Sequence, residues 1–513
     1  MPGGGVAEGQ RSGVTGAAQV GGPAVGGLGR LLPVGPRGAV VAAAVGVVAF
    51  HVAYASAVLA GAVVLFLFSL VWVSRVRSPR GAFWLGLAMG FCSYAPKLFF
   101  LGGIFGPFAI SLWLILSVWA GAFVLMAHYA ARRFPALVAI AMLPVLWMGL
   151  EYFRSELYPL KFAWLTPGFA FVPGAMARTA GVYGVGFFCM ALAAGAWLLP
   201  GLGRLAGLIA AVVLAGWLGT RPVALPELNA RQRRPMGPIV VGIQRENGDS
   251  WKAAEWLETA RQAHPEGELF VLSEYTFPSL PPEDVLAWCK EHGKYLLAGG
   301  VRDVEGSRTK FYDTAFVVGP DGKIVFEQVK AVPIQFMQDG LPAPKQELWR
   351  SPWGAIGVCV CYDLSYTRVT DRLVAMEARL LLVPAMDAMT WGKNEHELHG
   401  RVGPMRAAEY GVPVVRVCSS GISQIIDQWG NILESAPYPG QGAIFSASTI
   451  RMGTGHLPWD RWAAPVCALL AMGYSACELM LASVRRVRGG RGPGAAKSPP
   501  AATAAPALPA EAD

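Results

Sequence analysis

The chain has 513 residues, of which 54% are hydrophobic and only 15% charged, with a formal net charge of +9. A charged share well below the ~25% of soluble domains excludes a chain that is soluble throughout, and the length allows about three domains. The positive balance is not read as nucleic-acid binding, because the arginines sit beside apolar runs, as at the cytoplasmic flanks of membrane spans.

Residues 1–37 are rich in Gly, Ala and Val and read as a disordered cytoplasmic leader. They lack a compact charged start followed by an apolar core and a cleavage site, so no cleaved signal peptide is expected. Residues 38–219 are then long apolar runs of the length that a spanning helix requires. Two short spans are expected in 38–74 with a turn near His51, and further spans at about 81–101, 104–127, 134–150, 181–200 and 205–219. One more, 460–484, follows a polar region, for about eight in all. With eight spans, Arg37, Arg75 to Arg80, Arg132 and Arg133, Arg204, and Arg485 to Arg491 fall on one side, the cytoplasm by the positive-inside rule. The same count places the region after the seventh span on the outer side. A single helix across 38–74 would invert that assignment. Residues 220–237 form a linker, and 485–513 a basic, then Ala/Pro-rich, disordered cytoplasmic tail.

Residues 238–450 have an ordinary soluble composition and alternate strands with helices. Strands are expected at 238–243, 268–274, 295–301, 314–319, 324–330, 355–362, 379–384, 412–418, 423–427 and 432–435. Helices are expected from about Trp251, over 281–292, and over 395–410. Pro-Asp-Gly-Lys and Gln-Trp-Gly-Asn mark two hairpins. This alternation implies an α/β domain with a mixed sheet. The eight cysteines of the whole chain show neither paired spacing nor a zinc pattern, so no disulfide framework and no metal are expected. His396 and His399 share a helix face but lack a third ligand, and read as a solvated or supporting pair.

Three residues close apolar strands in this domain. Cys361 ends Gly-Val-Cys-Val-Cys, where the strand meets a polar loop; Cys359, two residues earlier, is placed on the same face. A thiol is a nucleophile once a base or a nearby cation favours its thiolate. Glu274 ends Val-Leu-Ser-Glu and is suited to act as a half-buried base. Lys330 ends Phe-Glu-Gln-Val-Lys and is suited to stabilise a thiolate or an oxyanion. Taken singly, each has a plainer reading: a small buried thiol, a loop-capping Glu, a solvated Lys. At the outer end of a span, Glu151 and Arg154 are costly in lipid, so they are read as headgroup contacts, a helix-pairing device or an interfacial anchor pair.

Taken in order, Glu274, Lys330 and Cys361 followed by Tyr362 and Asp363 resemble the Glu–Lys–Cys triad of the nitrilase (carbon–nitrogen hydrolase) superfamily. The likeness runs over about 238–450 and extends to Met405-Arg-Ala-Ala-Glu409 and Ser419-Ser-Gly-Ile-Ser423 before Asp427-Gln-Trp-Gly. Gly149-Leu-Glu-Tyr-Phe-Arg154, Trp164 and Gly181-Val-Tyr-Gly-Val-Gly-Phe187 resemble the apolipoprotein N-acyltransferases, as does the order of helical bundle, outer domain and last span. The Pro384-Ala-Met-Asp387-Ala-Met-Thr-Trp391-Gly segment is similar to the loop that follows the nucleophile in that family.

The resemblance implies a membrane α-helical bundle plus a nitrilase-like αββα sandwich, in a bacterial inner membrane with the catalytic domain on the periplasmic side. It implies transfer of an acyl chain from a phospholipid, through a Cys361 thioester, to the N-terminal amine of a diacylglyceryl-cysteine lipoprotein, with no cofactor. Glu274 is then the base and Lys330 the oxyanion stabiliser, with Tyr362 and Trp391 in supporting positions. One departure concerns a second acid: where the family has a Glu after Lys-x-x-Leu-Val-Pro-Phe-Gly, this chain reads Lys330-Ala-Val-Pro-Ile-Gln-Phe-Met-Gln-Asp339. That leaves Asp339 or Asp363 to take its place. Asp363 also stands where the family more often has Glu, and the stretch from Ile239 to Glu274 is short. The alternative is a membrane-tethered amidase or hydrolase of the same superfamily, with water as acceptor.

Overall fold

The computed structural model describes residues 34–171, 175–220, 236–246, 249–307, 309–440 and 444–489. The expectations for most of the leader, the linker and most of the tail therefore lie outside the described residues. The N-terminal helices are α1 (Pro36–Ala55), α2 (Val63–Val73), α3 (Pro79–Lys97), α4 (Phe100–Phe105), α5 (Ala109–Arg133), α6 (Ala136–Tyr152), α7 (Ala175–Gly195) and α8 (Gly201–Thr220). Among the described residues, six helical stretches are long and apolar enough to cross a membrane: Pro36–Ala55, Phe100–Arg133, Ala136–Leu157, Met176–Leu198, Gly201–Gly219 and Asp460–Val484.

That count is lower than the eight expected. Ala57–Val73 is apolar but short, and α3 carries Arg80, Pro96 and Lys97 within its 19 residues. The turn expected near His51 falls instead at Ser56, whose extended backbone ends α1; His51 stays helical, with its Nε2 3.0 Å from the Cys92 carbonyl.

The bundle nevertheless has two distinct ends. At one end Arg75 and Arg204 both stack on Trp197, at 4.4 and 4.5 Å, and Arg132 donates to the Val76 carbonyl at 2.8 Å. Arg133 pairs there with Glu478 of the last helix at 2.7 Å. The opposite end carries the α/β domain. Arg401 donates to the carbonyls of Tyr54 and Phe169, and Trp164 Nε1 to Ser365 Oγ at 2.8 Å. Glu156, buried where α6 ends, accepts from the Thr367 backbone and hydroxyl and from the Tyr183 hydroxyl. Helix α7 is kinked at Gly181, where φ is +75°. A side chain there would strike a carboxylate of the last helix, Asp460, which accepts instead from Tyr183 N.

The α/β domain follows in the order β1 (Met236–Ile243), α9 (Ala253–Ala263), β2 (Leu269–Val271), α10 (Glu283–His292), β3 (Tyr295–Asp303), β4 (Phe311–Val318), β5 (Ile324–Val329), β6 (Leu348–Ser351), β7 (Gly354–Val358), α11 (Thr367–Ala375), β8 (Leu380–Ala385), α12 (Lys393–Gly400), α13 (Val402–Tyr410), β9 (Val414–Cys418), β10 (Gln424–Ile426), β11 (Ile432–Ser435) and β12 (Ile444–Arg451), before α14 (Asp460–Gly489). Two six-stranded sheets result, in the orders β12-β1-β2-β3-β4-β5 and β11-β10-β9-β8-β7-β6.

Alternation along the strands explains the layers. In β1 and β2, Val241, Ile243 and Phe270 face Trp256, Leu257, Val285 and Trp288 of α9 and α10. Val240, Leu269 and Val271 point the other way, into a core shared with Ile356, Val358, Leu380 and Leu382 of the second sheet. The second sheet is covered in turn by Val369 and Leu373 of α11 and Met405 of α13. This is an α–β–β–α sandwich, docked on the bundle through the side bearing α11 to α13.

The expected strands are present within a few residues. Sequence reading missed α11, β6 and β12, and it merged α12 and α13. The helix predicted from Trp251 begins as a short turn over Ser250–Lys252 that leads into α9.

Candidate active site

The central strands end toward one another, and their ends carry the reactive side chains. β7 stops at Val358, and Cys361 opens a tight turn with φ of +50°, a conformation uncommon for a non-glycine residue. The turn swings the thiol out of the strand's alternation, so Cys359 does not share its setting as the sequence pattern suggested. Asp363 holds the turn: its carboxylate accepts from the backbone N–H groups of Val360, Ala331 and Val332 at 2.7–3.1 Å. It thereby ties the nucleophile turn to the chain just after Lys330. Burial pushes the Asp363 carboxyl up to about 6, even with those donors and Lys330 opposing. Its carboxylate is committed to backbone, so it does not serve as a second acid facing substrate.

Glu274 follows β2 and is buried. Gly299 of β3 admits it: a methyl group there would sit 2.5 Å from the Glu274 Cα. One Glu274 oxygen accepts from Lys330 Nζ at 2.6 Å and the other from Met386 N at 2.7 Å; the Cys361 thiol lies beside this carboxylate and donates to the Met386 carbonyl at 3.9 Å. Lys330, also buried, lies 2.8 Å from Asp339 and 3.3 Å from Asp313. Asp339 is fixed by Tyr275 Oη at 2.9 Å and by Ile334 N at 2.6 Å. The structure thus brings Glu274, Lys330, Cys361 and Asp339 into one cluster.

The charges set each other. Burial would raise the Glu274 carboxyl, but the Lys330 ammonium and the donors around it together outweigh burial and hold it below the usual carboxylate range. Burial works against the Lys330 ammonium, yet Glu274 and the surrounding acids push its pKa well up, so it stays charged. Asp313 is driven far upward by burial and by Glu274, which keeps it protonated against that carboxylate. The Cys361 thiol is pushed well up by burial and by Glu274, with Lys330 opposing. The resting state is a neutral thiol beside a carboxylate able to take its proton.

A second cluster lies across the thiol. Asp387, after β8, pairs with Arg416 of β9 at 2.5 Å and with His399 Nδ1 at 2.8 Å. Burial works against the Asp387 charge, but Arg416 and His399 overcome it and hold the carboxyl well below the usual range. Two groups have spacings that would suit a metal ion: Cys361 with Asp387 and His399, and Glu274 with Asp313 and Asp339. Arg416 and Lys330 already supply the positive charge in each.

An apolar pocket opens from Cys361. It holds about 850 Å³ of space, part of it open to the surroundings. One side is made by Tyr362, Trp391, Glu395 and His399; the other by Leu101, Ile104 and Phe105 of the α4 region and Leu112, Ile115 and Leu116 of α5. Trp164 stacks on His399 at 4.9 Å and meets Tyr362 edge-on. The segment 334–337 after Lys330 forms the rim, where exposed Phe336 packs on Phe105 and Phe108. Tyr362 and Trp391 are therefore pocket walls. Glu151 and Arg154 are not: they line a separate small space inside the bundle with Tyr94, Trp119 and Trp147, and are buried rather than at a lipid interface.

Sequence reading missed Asp313, Tyr275 and Arg416, and gave Asp387 and His399 no role in the chemistry. The signal existed for two of them. Asp313 and Arg416 are the charged residues in otherwise apolar strands, Phe-Tyr-Asp-Thr-Ala-Phe and Val-Val-Arg-Val-Cys.

Comparison with known proteins agrees with both halves. A family model described as carbon-nitrogen hydrolase matches residues 283–447, and one described as apolipoprotein N-acyltransferase N-terminal domain matches residues 42–195. An apolipoprotein N-acyltransferase of Azotobacter vinelandii is 26% identical over 463 residues, covering 78% of this chain and 87% of its own length. One from Pseudomonas putida is 26% identical, covering 77% of this chain and 88% of its own. An omega-amidase of Danio rerio is 28% identical over 167 residues, covering 29% of this chain and 58% of its own.

Proposed function

This chain belongs to the apolipoprotein N-acyltransferases of the nitrilase superfamily, and from that premise we infer a two-step acyl transfer in lipoprotein maturation. It is a membrane enzyme that handles lipid and lipoprotein. The donor is a phospholipid and the acceptor the N-terminal amine of a diacylglyceryl-cysteine lipoprotein. The α/β domain faces the outer, periplasmic side of a bacterial inner membrane. Two features support that orientation: the basic residues gather at the bundle end away from the α/β domain, as the positive-inside rule requires, and the family is one of lipoprotein enzymes.

Glu274 takes the thiol proton as Cys361 attacks the ester carbonyl. Lys330 and backbone N–H groups stabilise the oxyanion. The C–O bond breaks, Glu274 returns its proton to the departing lysophospholipid oxygen, and a thioester remains. Asp339 and the protonated Asp313 hold Lys330 in line with Glu274. The acceptor amine then attacks the thioester, an amide forms, and the Cys361 thiol is restored.

The observation that carries this reading, rather than hydrolysis of a small amide, is the apolar pocket joining Cys361 to α4 and α5. A polar amide has no use for such a wall. An acyl chain gains about 0.8 kcal/mol for each methylene buried. Purified protein incubated with phospholipid and a diacylated lipopeptide is expected to yield N-acylated peptide and lysophospholipid. Free fatty acid or ammonia, with no N-acylated peptide, would favour the hydrolase.

A further inference from the structure

His399 lies beside the nucleophile, and the first step gives it no part. Its Nδ1 lies 2.8 Å from the Asp387 carboxylate and 2.8 Å from Arg416 Nη2; Arg416 already donates to Asp387 at 2.5 Å, and the tautomer with N–H at Nδ1 gives that carboxylate its second donor. Nε2 is then a bare acceptor. It is buried and, among the described residues, has no hydrogen-bond partner, an arrangement that costs stability unless a ligand supplies a donor. The ring forms part of the wall of the acyl pocket and is held flat by Trp164. The Cys361 sulfur, an Asp387 oxygen and a His399 ring nitrogen lie within 4.8 Å of one another.

The acceptor's chemistry calls for such a group. An α-amine with a pKa of about 7.7–8.0 arrives mostly as ammonium at pH 7, and an ammonium must lose two protons to become an amide nitrogen. Glu274 accepts one proton at a time and is already bonded to Lys330 and Met386. We propose that His399 Nε2 takes the first proton from the acceptor's α-ammonium, creating the nucleophile that discharges the Cys361 thioester. This rests on the acyl-transfer reading above. The freed lone pair forms the C–N bond. Glu274 then takes the second proton, the C–S bond breaks, and Glu274 passes that proton to the departing sulfur. The proton on His399 leaves to solvent at the open side of the pocket.

The charged and titratable groups around the ring are Asp387, Arg416, Glu395, Glu274 and Cys361. Burial and Arg416 lower its pKa more than Asp387 raises it, so the imidazole is neutral and ready to accept at pH 7.

The test separates the two half-reactions. In His399→Gln, discharge by a diacylated lipopeptide at pH 7 is expected to fall about 10²-fold further than thioester formation from phospholipid, read as a burst of lysophospholipid; that ratio is the worth of a general base and a lost pocket wall alone would not produce it. The deficit should shrink as pH rises past the amine's own pKa. Discharge by hydroxylamine, which is neutral at pH 7, should be unchanged. Equal loss in both half-reactions, loss with hydroxylamine as well, or unchanged discharge by lipopeptide would each overturn the role. A wild-type thioester that water discharges and lipopeptide does not would instead overturn the acyl-transfer reading, and this role with it.

Discussion

The two walls of the Cys361 pocket differ in kind. The wall from the α/β domain is dense with buried charge: Glu274, Lys330, Asp313 and Asp339 on one side of the thiol, Asp387, His399 and Arg416 on the other. The wall from α4 and α5 offers leucine, isoleucine and phenylalanine. The first can make and break an acyl bond whatever the acyl group is. The second can select one, because only a long chain gains from reaching it. On the proposed mechanism, chemistry and substrate choice reside in different parts of the fold, joined where Trp164 and Glu156 fasten the bundle to the nucleophile turn.

One way to break this division is on the apolar wall. Leu112→Trp would fill space that about three methylenes of an acyl chain would use. At about 0.8 kcal/mol each, that lowers transfer from a long-chain phospholipid by roughly 50-fold. Alkylation of Cys361 by iodoacetamide should be unaffected. A matching loss of alkylation would mean that the substitution disturbed the polar wall, and that the two are not separable.

A second substitution tests the polar side. Deprotonating Cys361 puts a second negative charge beside Glu274, so the carboxylate holds the thiol pKa up. Glu274→Gln removes that repulsion and leaves Lys330 in place. The pH midpoint of iodoacetamide labelling should move down, on the order of one to two pH units, while turnover collapses for want of a base. A midpoint that stays put or rises would show that Glu274 and Cys361 are not in electrostatic contact.

Much of the polar wall was legible in the sequence, because Glu274, Lys330 and Cys361 each end an apolar strand. Parallel strands of a sandwich bring such ends together. Asp339 was legible only as a stand-in for a missing Glu; its contact with Lys330 depends on a turn at Phe336 and Gly340, both with positive φ, which strand patterning does not reveal. Asp363 was misjudged because a carboxylate next to a nucleophile resembles a catalytic acid, whereas here it caps three backbone amides. The apolar wall was less legible. Its residues belong to runs that are uniformly hydrophobic, so periodicity marks them as helix without saying which face meets the thiol. Glu151 and Arg154 drew attention for the opposite reason: charge in a span stands out, and here it is packed inside the bundle away from Cys361.

In the proposed mechanism Cys361 accepts an acyl chain from phospholipid. Intact-protein mass spectrometry after incubation with a phospholipid of defined acyl composition is the sharpest test of that step. A mass increase of one acyl group is expected, mapped to Cys361, absent in Cys361→Ala and removed by a diacylated lipopeptide. Release of lysophospholipid with no adduct, or an adduct that persists in Cys361→Ala, would contradict it.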